Sequence, residues 1–496
     1  VVKTKMRKIN YKIVLLLSIM IFSMMTATFF IGVVTTTDLK ASEPKTSVPV
    51  TLNIIVTDQQ LPGVENVTDA FLASPLGSGV TSVTVSSSGT NANDQLTLLS
   101  TAMAAGSTTY DVIGLDVVWT AQFATNNWII PLDSYLTTGE MDAFVPGMVQ
   151  ACTYNGHVYA YPYFMNLGIL WYRKDLMDLN GFTPADFETW EGLNATANYI
   201  LNNESGTLDN TNLVGYVGQF DNYEGGVVNF FEIAASNGAT DLIVGNTVNI
   251  AGNTKLEQAM TFFQKLIPPQ YTGVQGTPSD PNPYIIPRNG LVMDEGSSIG
   301  IWTQNNSIFM RQWTFAYGSS LDNGIDFGIA PLPHFAGATN YATSAVGGAI
   351  LAIPSFINSE QRAAAINLTK FLGMQTAQEA ELKVVSNFPA LKSVYASPPA
   401  GFEWISNWTD QLDQTLSRPV EAKYPSISTV ISNEFSNILS GGKTVTAGLN
   451  SMQTQIASIL AGPPAVPEIP GYSVGLILFA AASAVGIIVM IRKRQK

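Results

Sequence analysis

Residues 50–116, VTLNIIVTDQQLPGVENVTDAFLASPLGSGVTSVTVSSSGTNANDQLTLLSTAMAAGSTTYDVIGLD, alternate between strand-like and helix-like patterns, and that alternation decides the fold class. Thr51–Val56 is rich in β-branched residues and reads as a strand, Val64–Leu72 as a helix, and Ser82–Val85 as a second short strand. Asp94–Ala105 places Leu96, Leu99 and Met103 on one helical face, Asp111–Leu115 reads as a third strand, and Asp116–Thr125 as the next helix. Alternation at this spacing argues an α/β protein with a parallel sheet flanked by helices. Ligands of such sheets sit beyond the carboxyl ends of the strands, the kind of position Asp116 takes. Trp119 and Phe123, one turn apart behind it, read as helix core.

Two later segments, Asn253–Leu266 and Ser359–Leu372, read as amphipathic helices. The second follows an Asn-Ser pair suited to capping, with Ala363, Ala364, Leu368 and Phe371 on its inward side. The 496 residues leave room for one large two-lobed unit or two domains between distinctive ends. At the start, five cations (Lys3, Lys5, Arg7, Lys8, Lys12) precede an apolar run, so residues 1–41 are expected to be a signal peptide cleaved near Ala41, or an uncleaved anchor. At the other end, residues 462–471, GPPAVPEIPG, read as a short stiff stalk and residues 472–491 as a transmembrane helix. The basic tip 492–496 is expected on the cytoplasmic side, leaving the body outside the cell.

Formal charge is −13; setting aside the five N-terminal and four C-terminal cations takes the remainder to about −22. So acidic a body repels phosphate backbones, which argues against nucleic acid as a partner. Cys152 is the single cysteine, so an internal disulfide is excluded and core burial must hold the protein together. His157 and His334 are far apart with no ligand-type partner at useful spacing, and no phosphate loop, dinucleotide fingerprint or nucleophile elbow is present. No cofactor or metal is expected. Asp294 and Glu295 are adjacent, so a glycosidase would need a distant carboxylate to join one of them. That carbohydrate-active surface enzyme is the alternative to a binding protein.

Aromatic residues lie beside small hydrogen-bonding ones in DVVWTAQF (116–123), YPYFMNLGILWYRKDL (161–176), GIWTQNN (300–306) and SAVGGA (344–349). Sugar clefts use this mixture, because aromatic faces stack on the C–H surface of a pyranose while Asp, Asn and Arg take its hydroxyls. Four longer blocks carry a resemblance: YDVIGLDVVWTAQFATNNWIIPLDSYL (110–136), LGILWYRKDLMDLNGF (167–182) with ETW after it, GIAPLPHFAG (328–337) and SRPVEAKYP (417–425). In this order they resemble the extracellular solute-binding proteins of carbohydrate ABC importers, nearest to the trehalose/maltose-binding branch.

The resemblance implies a two-lobed, periplasmic-binding-protein-like fold with a sugar in the interlobe cleft, no enzymatic activity, and separate ABC permease subunits as partners. It places crossings between lobes near Tyr163, Ala330 and Phe388, giving residues 48–162 and 332–387 to lobe one and 164–330 and 389–460 to lobe two. By motif, Asp116 matches a hydroxyl-accepting aspartate, Arg418 an arginine that reaches the sugar, and Gly348 a backbone contact. Phe164 takes the place of a cleft tyrosine, and Trp302 lies near a stacking tryptophan with Trp313 as its rival. Three positions depart from the branch: Asn166 stands for an aspartate, Ala349 for a stacking tryptophan, and Gln95 for an arginine. Each such loss costs the original sugar ~1–3 kcal/mol, so a different oligosaccharide, or another polyol-like solute, is expected in place of trehalose. An anchor at the C-terminal end in place of an N-terminal lipid suggests a cell without an outer membrane, archaeal in style.

Overall fold

The computed structural model describes residues 49–204, 212–269, 284–339, 341–412 and 415–462. Two sheets organise them. The first has six strands in the order Phe388–Pro389, Ala160–Leu167, Val346–Ala352, Val112–Asp116, Val50–Val56, Val80–Ser87. Val50–Val56 pairs in parallel with both Val80–Ser87 and Val112–Asp116, with helices Leu61–Ala73 and Ala92–Ala104 as the crossovers. The alternating pattern demands this arrangement, because parallel neighbours need a crossover and a helix supplies one. The second sheet has four strands in the order Phe327–Pro331, Ile169–Arg173, Ser307–Gln312, Val214–Val217.

The helix expected at Ser359–Leu372 has those bounds, and the Asn358 side chain accepts from the Gln361 N–H at 2.9 Å as its cap. The helix Thr254–Lys265 is capped in the same way by Asn253. Trp119 and Phe123 lie in the core under the first sheet. Arg173 is 7 % exposed, pairing with Asp175 and donating to the Asn305 carbonyl.

The sheets are joined through three chain passages that lie side by side. The strand Ala160–Leu167 of the first sheet runs through one residue, Gly168, into Ile169–Arg173 of the second. The expected crossing at Tyr163 is therefore displaced, since Tyr163 sits within a strand whose eight residues are all buried. The second passage leaves Phe327–Pro331 and enters Val346–Ala352, and Ser344 donates its hydroxyl to the Gly168 carbonyl at 2.7 Å. The third lies well beyond Phe388, which pairs with Met165 at the edge of the first sheet. Tyr395, Trp404 and Trp408 pack around the Phe388 ring, and that aromatic cluster holds this stretch on the first sheet. The chain passes over afterwards, where the Leu416 N–H donates to the Ser344 carbonyl and the Val346 N–H to the Leu416 carbonyl, both at 2.9 Å.

Behind these passages sits a buried ion pair. Arg311 donates Nε and Nη2 to the two oxygens of Glu232, each at 2.8 Å, and the Ala345 N–H adds a bond of 3.1 Å to Glu232 Oε1. Glu232 thus binds the second sheet to the passage at Ala345.

A separate buried carboxylate makes the first half sensitive to pH. Glu381 is 1 % exposed and accepts from the Tyr163 hydroxyl at 2.6 Å and the Asn387 amide at 2.8 Å. Burial pushes its carboxyl up to about 7 although both hydrogen bonds oppose the shift. The folded state then holds a proton that the unfolded chain releases above pH 4.5, so stability falls as pH rises from there to about 7 and levels off beyond. Glu381→Gln is expected to flatten that profile, raising the unfolding free energy at pH 8 by about 1–3 kcal/mol with little change at pH 4.5. Urea unfolding at the two pH values measures it.

Among the described residues no helix is long and apolar enough to cross a membrane. The expected signal or anchor at 1–41, the stalk after Gly462, the transmembrane helix 472–491 and the tip 492–496 lie outside the described residues.

Candidate functional site

The carboxyl ends of the three parallel strands open on one side of the first sheet. Thr57, Gln59 and Gln60 follow Val50–Val56, Thr90 and Ala92 follow Val80–Ser87, and Asp116 ends Val112–Asp116. Facing them are the start of helix Glu224–Ser236 with Tyr223, the first residue of helix Glu295–Trp302, and Trp313, just past strand Ser307–Gln312. Together they line one cleft.

Seven of the eight residues singled out from sequence line this cleft: Gln95, Asp116, Phe164, Asn166, Trp313, Gly348 and Arg418. Trp302 does not. It is fully buried, its indole N–H donating to the Ser320 hydroxyl at 2.9 Å, because it falls on the inward face of its helix. Between the two tryptophans, Trp313 is the one exposed to the cleft.

Its setting explains the glycines of SAVGGA. A Cβ on Gly347 would come within 2.9 Å of the Trp313 ring, and one on Gly348 within 2.3 Å of the Phe164 carbonyl. Gly348 also holds φ at +122°, a conformation that side chains disfavour. These glycines are strand residues making room for the indole and the neighbouring strand, not a tight turn. The Arg311 guanidinium lies 3.9 Å from the Trp313 ring centroid, so the ring is clamped on one face and oriented.

A charged chain crosses the cleft floor. Arg418 donates Nη2 to Asp116 at 3.2 Å and Nη1 to Glu224 at 2.5 Å, with a further 3.3 Å bond to the Val346 carbonyl. Glu224 also accepts from the Tyr424 hydroxyl at 2.5 Å and from Ser428. Burial pushes the Glu224 carboxyl up against the opposing pull of Arg418. Burial also disfavours the Arg418 charge, but Asp116, Tyr424 and Glu224 raise its pKa further above the ordinary arginine value. Arg418 thus gives Nη1 and Nη2 to protein acceptors, with its side chain 1 % exposed and its buried Nε without a hydrogen-bond partner among the described residues, and acts between the two halves more than on a guest. Asp116, with a side chain 20 % exposed, keeps access to the cleft.

Asn166 and Gln95 are similarly engaged. The Asn166 carbonyl oxygen accepts from the Thr314 hydroxyl at 2.5 Å, and the Gln95 amide donates to the Gly114 carbonyl at 3.1 Å. Of the adjacent carboxylates, Asp294 caps helix Glu295–Trp302 by accepting from Ser297, whereas Glu295 points to the cleft. Glu295 accepts from the Trp313 indole N–H at 3.1 Å and the Tyr223 hydroxyl at 2.5 Å. Gly225 permits the second bond, since a Cβ there would lie 2.2 Å from the Tyr223 oxygen.

Sequence reasoning passed over Thr57, Gln60, Thr90, Tyr223, Glu224 and the cleft role of Glu295. The rule applied to Asp116, that residues just past parallel strands face a ligand, would have found the first three. Nothing local marks Glu224, whose partner Arg418 is 194 residues away. Among the described residues no group of three or more metal-ligating side chains gathers.

The match that decides the family covers most of this architecture: the family described as bacterial extracellular solute-binding protein aligns with residues 67–409. The chain belongs to that family. A curated relative from Deinococcus radiodurans, named a probable ABC transporter-binding protein, is 26 % identical over 374 residues, covering 74 % of this chain and 83 % of its own length. Among solved structures, maltose-bound MalE3 of T. maritima superposes with a TM-score of 0.71 at 26 % identity, over 82 % of this chain and 98 % of that one. A solute-binding protein of an ABC transporter from Agrobacterium radiobacter K84, in complex with ribitol, gives 0.67 at 19 % identity over 84 % of this chain and all 100 % of its own. The two-lobed α/β fold of periplasmic binding proteins is thereby the fold of this solute-binding protein, and the cleft described above lies between its two sheet-bearing halves.

Proposed function

We propose that this solute-binding protein captures a sugar or oligosaccharide outside the cell and hands it, chemically unaltered, to the permease of an ABC importer. The observation that carries the reading is Trp313, a clamped, half-buried indole in a cleft lined from both halves, with the carboxylates of Asp116 and Glu295 beside it. An aromatic face takes the C–H surface of a pyranose while carboxylates accept its hydroxyls. The ligands named for similar structures, maltose and ribitol, are both polyhydroxylated and uncharged. Binding favours closure because a guest touches both walls only when the halves approach, with the passages at Gly168, Ser344 and Leu416 as the hinge. The halves, in this reading, divide near 48–162 with 332–387 and 164–330 with 389–460, the third passage coming after residue 412. In this reading residues 472–491 tether the protein to the membrane, with the body outside.

Calorimetric titration with a panel of mono- and oligosaccharides tests the reading; saturable binding with the sugar recovered intact supports it, and silence across the panel overturns it. For a sugar that binds, Trp313→Ala is expected to weaken affinity about 10–100-fold. Trp302→Phe, which touches only the core, is expected to leave the affinity unchanged.

A further inference from the structure

We propose that Glu295 sets the charge selectivity of this cleft, so that it takes neutral or amine-bearing saccharides and refuses acidic ones. The inference rests on the sugar-binding reading above and narrows its substrate class. Three carboxylates, Asp116, Glu224 and Glu295, line the cleft, and Arg418 is the one arginine or lysine among the described residues that does. Arg418 is ion-paired to both Asp116 and Glu224 through Nη2 and Nη1, and its remaining Nε is buried, so its charge is already balanced inside the protein. The nearby Arg311 stands behind Trp313 and is neutralised by Glu232. Among the described residues, Glu295 has no cation within ion-pair distance.

Geometry makes this carboxylate a prepared acceptor. One oxygen is held by the Trp313 indole and the other by the Tyr223 hydroxyl, which leaves each with a lone pair to offer. Because one of those bonds comes from the edge of the stacking ring itself, a pyranose lying on Trp313 brings its equatorial substituents beside Glu295. A hydroxyl or ammonium there gains a charge-assisted hydrogen bond, whereas a second carboxylate or a phosphate meets a fixed like charge with no cation to share. Tyr223 acts as a positioning residue.

The test uses matched triples of probes, namely glucose, glucosamine and glucuronate, and the corresponding 1,4-linked dimers, titrated by calorimetry at pH 7. In any triple whose neutral member binds, the acidic member is expected to bind at least tenfold more weakly, and the amine at least as tightly as the neutral sugar. Glu295→Gln is expected to shrink the neutral-to-acidic ratio at least fivefold, and Tyr223→Phe to shrink it by a smaller factor. Tyr223→Phe keeps the packing, so it decides the matter if Glu295→Gln does not fold. Equal affinity for neutral and acidic members, or a ratio unmoved by either variant, overturns this proposal while leaving sugar binding intact. No binding by any triple or by the wider panel overturns both.

Discussion

Arg418→Met is expected to lower the unfolding free energy by about 3–5 kcal/mol at pH 8, among the largest losses from a single cleft residue. Methionine keeps much of the arginine stem's volume but withdraws the cation from between Asp116 and Glu224. Asp116 has solvent access to fall back on; Glu224 is buried and retains only the Tyr424 and Ser428 hydroxyls. The pH dependence identifies the cause. Burial already raises the Glu224 carboxyl in the native protein, and losing Arg418, which pulls it down, raises it further. A folded-state value above the unfolded one means the penalty is absent where both states are protonated and grows as pH rises through the folded pKa. Urea unfolding should therefore show a clearly smaller loss at pH 4.5 than at pH 8. A loss of the same size at both would assign it to packing instead.

Gly168→Ala is the second large effect, with an expected destabilisation of about 3 kcal/mol or more. The added Cβ would lie 2.2 Å from Glu232 Oε1 and 2.7 Å from Arg311 Nη2, so it wedges into the bidentate pair beneath the hinge. Neither partner can retreat without leaving a buried charge short of its counter-ion. Because Gly168 also accepts from Ser344, the substitution disturbs two of the three passages together and should weaken ligand affinity as well as stability. Gly300→Ala is the control. Apart from its chain neighbours and the helix's own backbone, nothing lies within 4 Å of the Cβ it would add, and within helix Glu295–Trp302 alanine is favoured by up to about 1 kcal/mol. A thermal melt of both variants beside the parent protein decides the matter; a Gly168→Ala protein as stable as Gly300→Ala would contradict the wedge.

The two predictions also mark the boundary of what was legible beforehand. Strand–helix alternation in 50–116 prescribed parallel strands with helical crossovers, and the end of one strand pointed to Asp116, because backbone pairing and period are local properties. The cap at Asn358 was legible for the same reason. The choice between Trp302 and Trp313 was not, since each lies in a short mixed segment and only packing shows that one indole meets Ser320 and the other Glu295. The third passage was misplaced because the aromatic cluster holding residues 388–408 on the first sheet forms between rings that carry no periodic signal.

By itself the sequence determined the α/β class, an acidic body and the exclusion of an internal disulfide, all of which follow from local period, charge and the single cysteine. Tertiary structure alone decided that Arg418 is spent on Asp116 and Glu224, that Glu295 rather than Asp294 faces the cleft, and that Gly168 sits over an ion pair. Those facts depend on electrostatic and steric contacts between residues far apart in the chain, and such contacts exist only once the two sheets have come together.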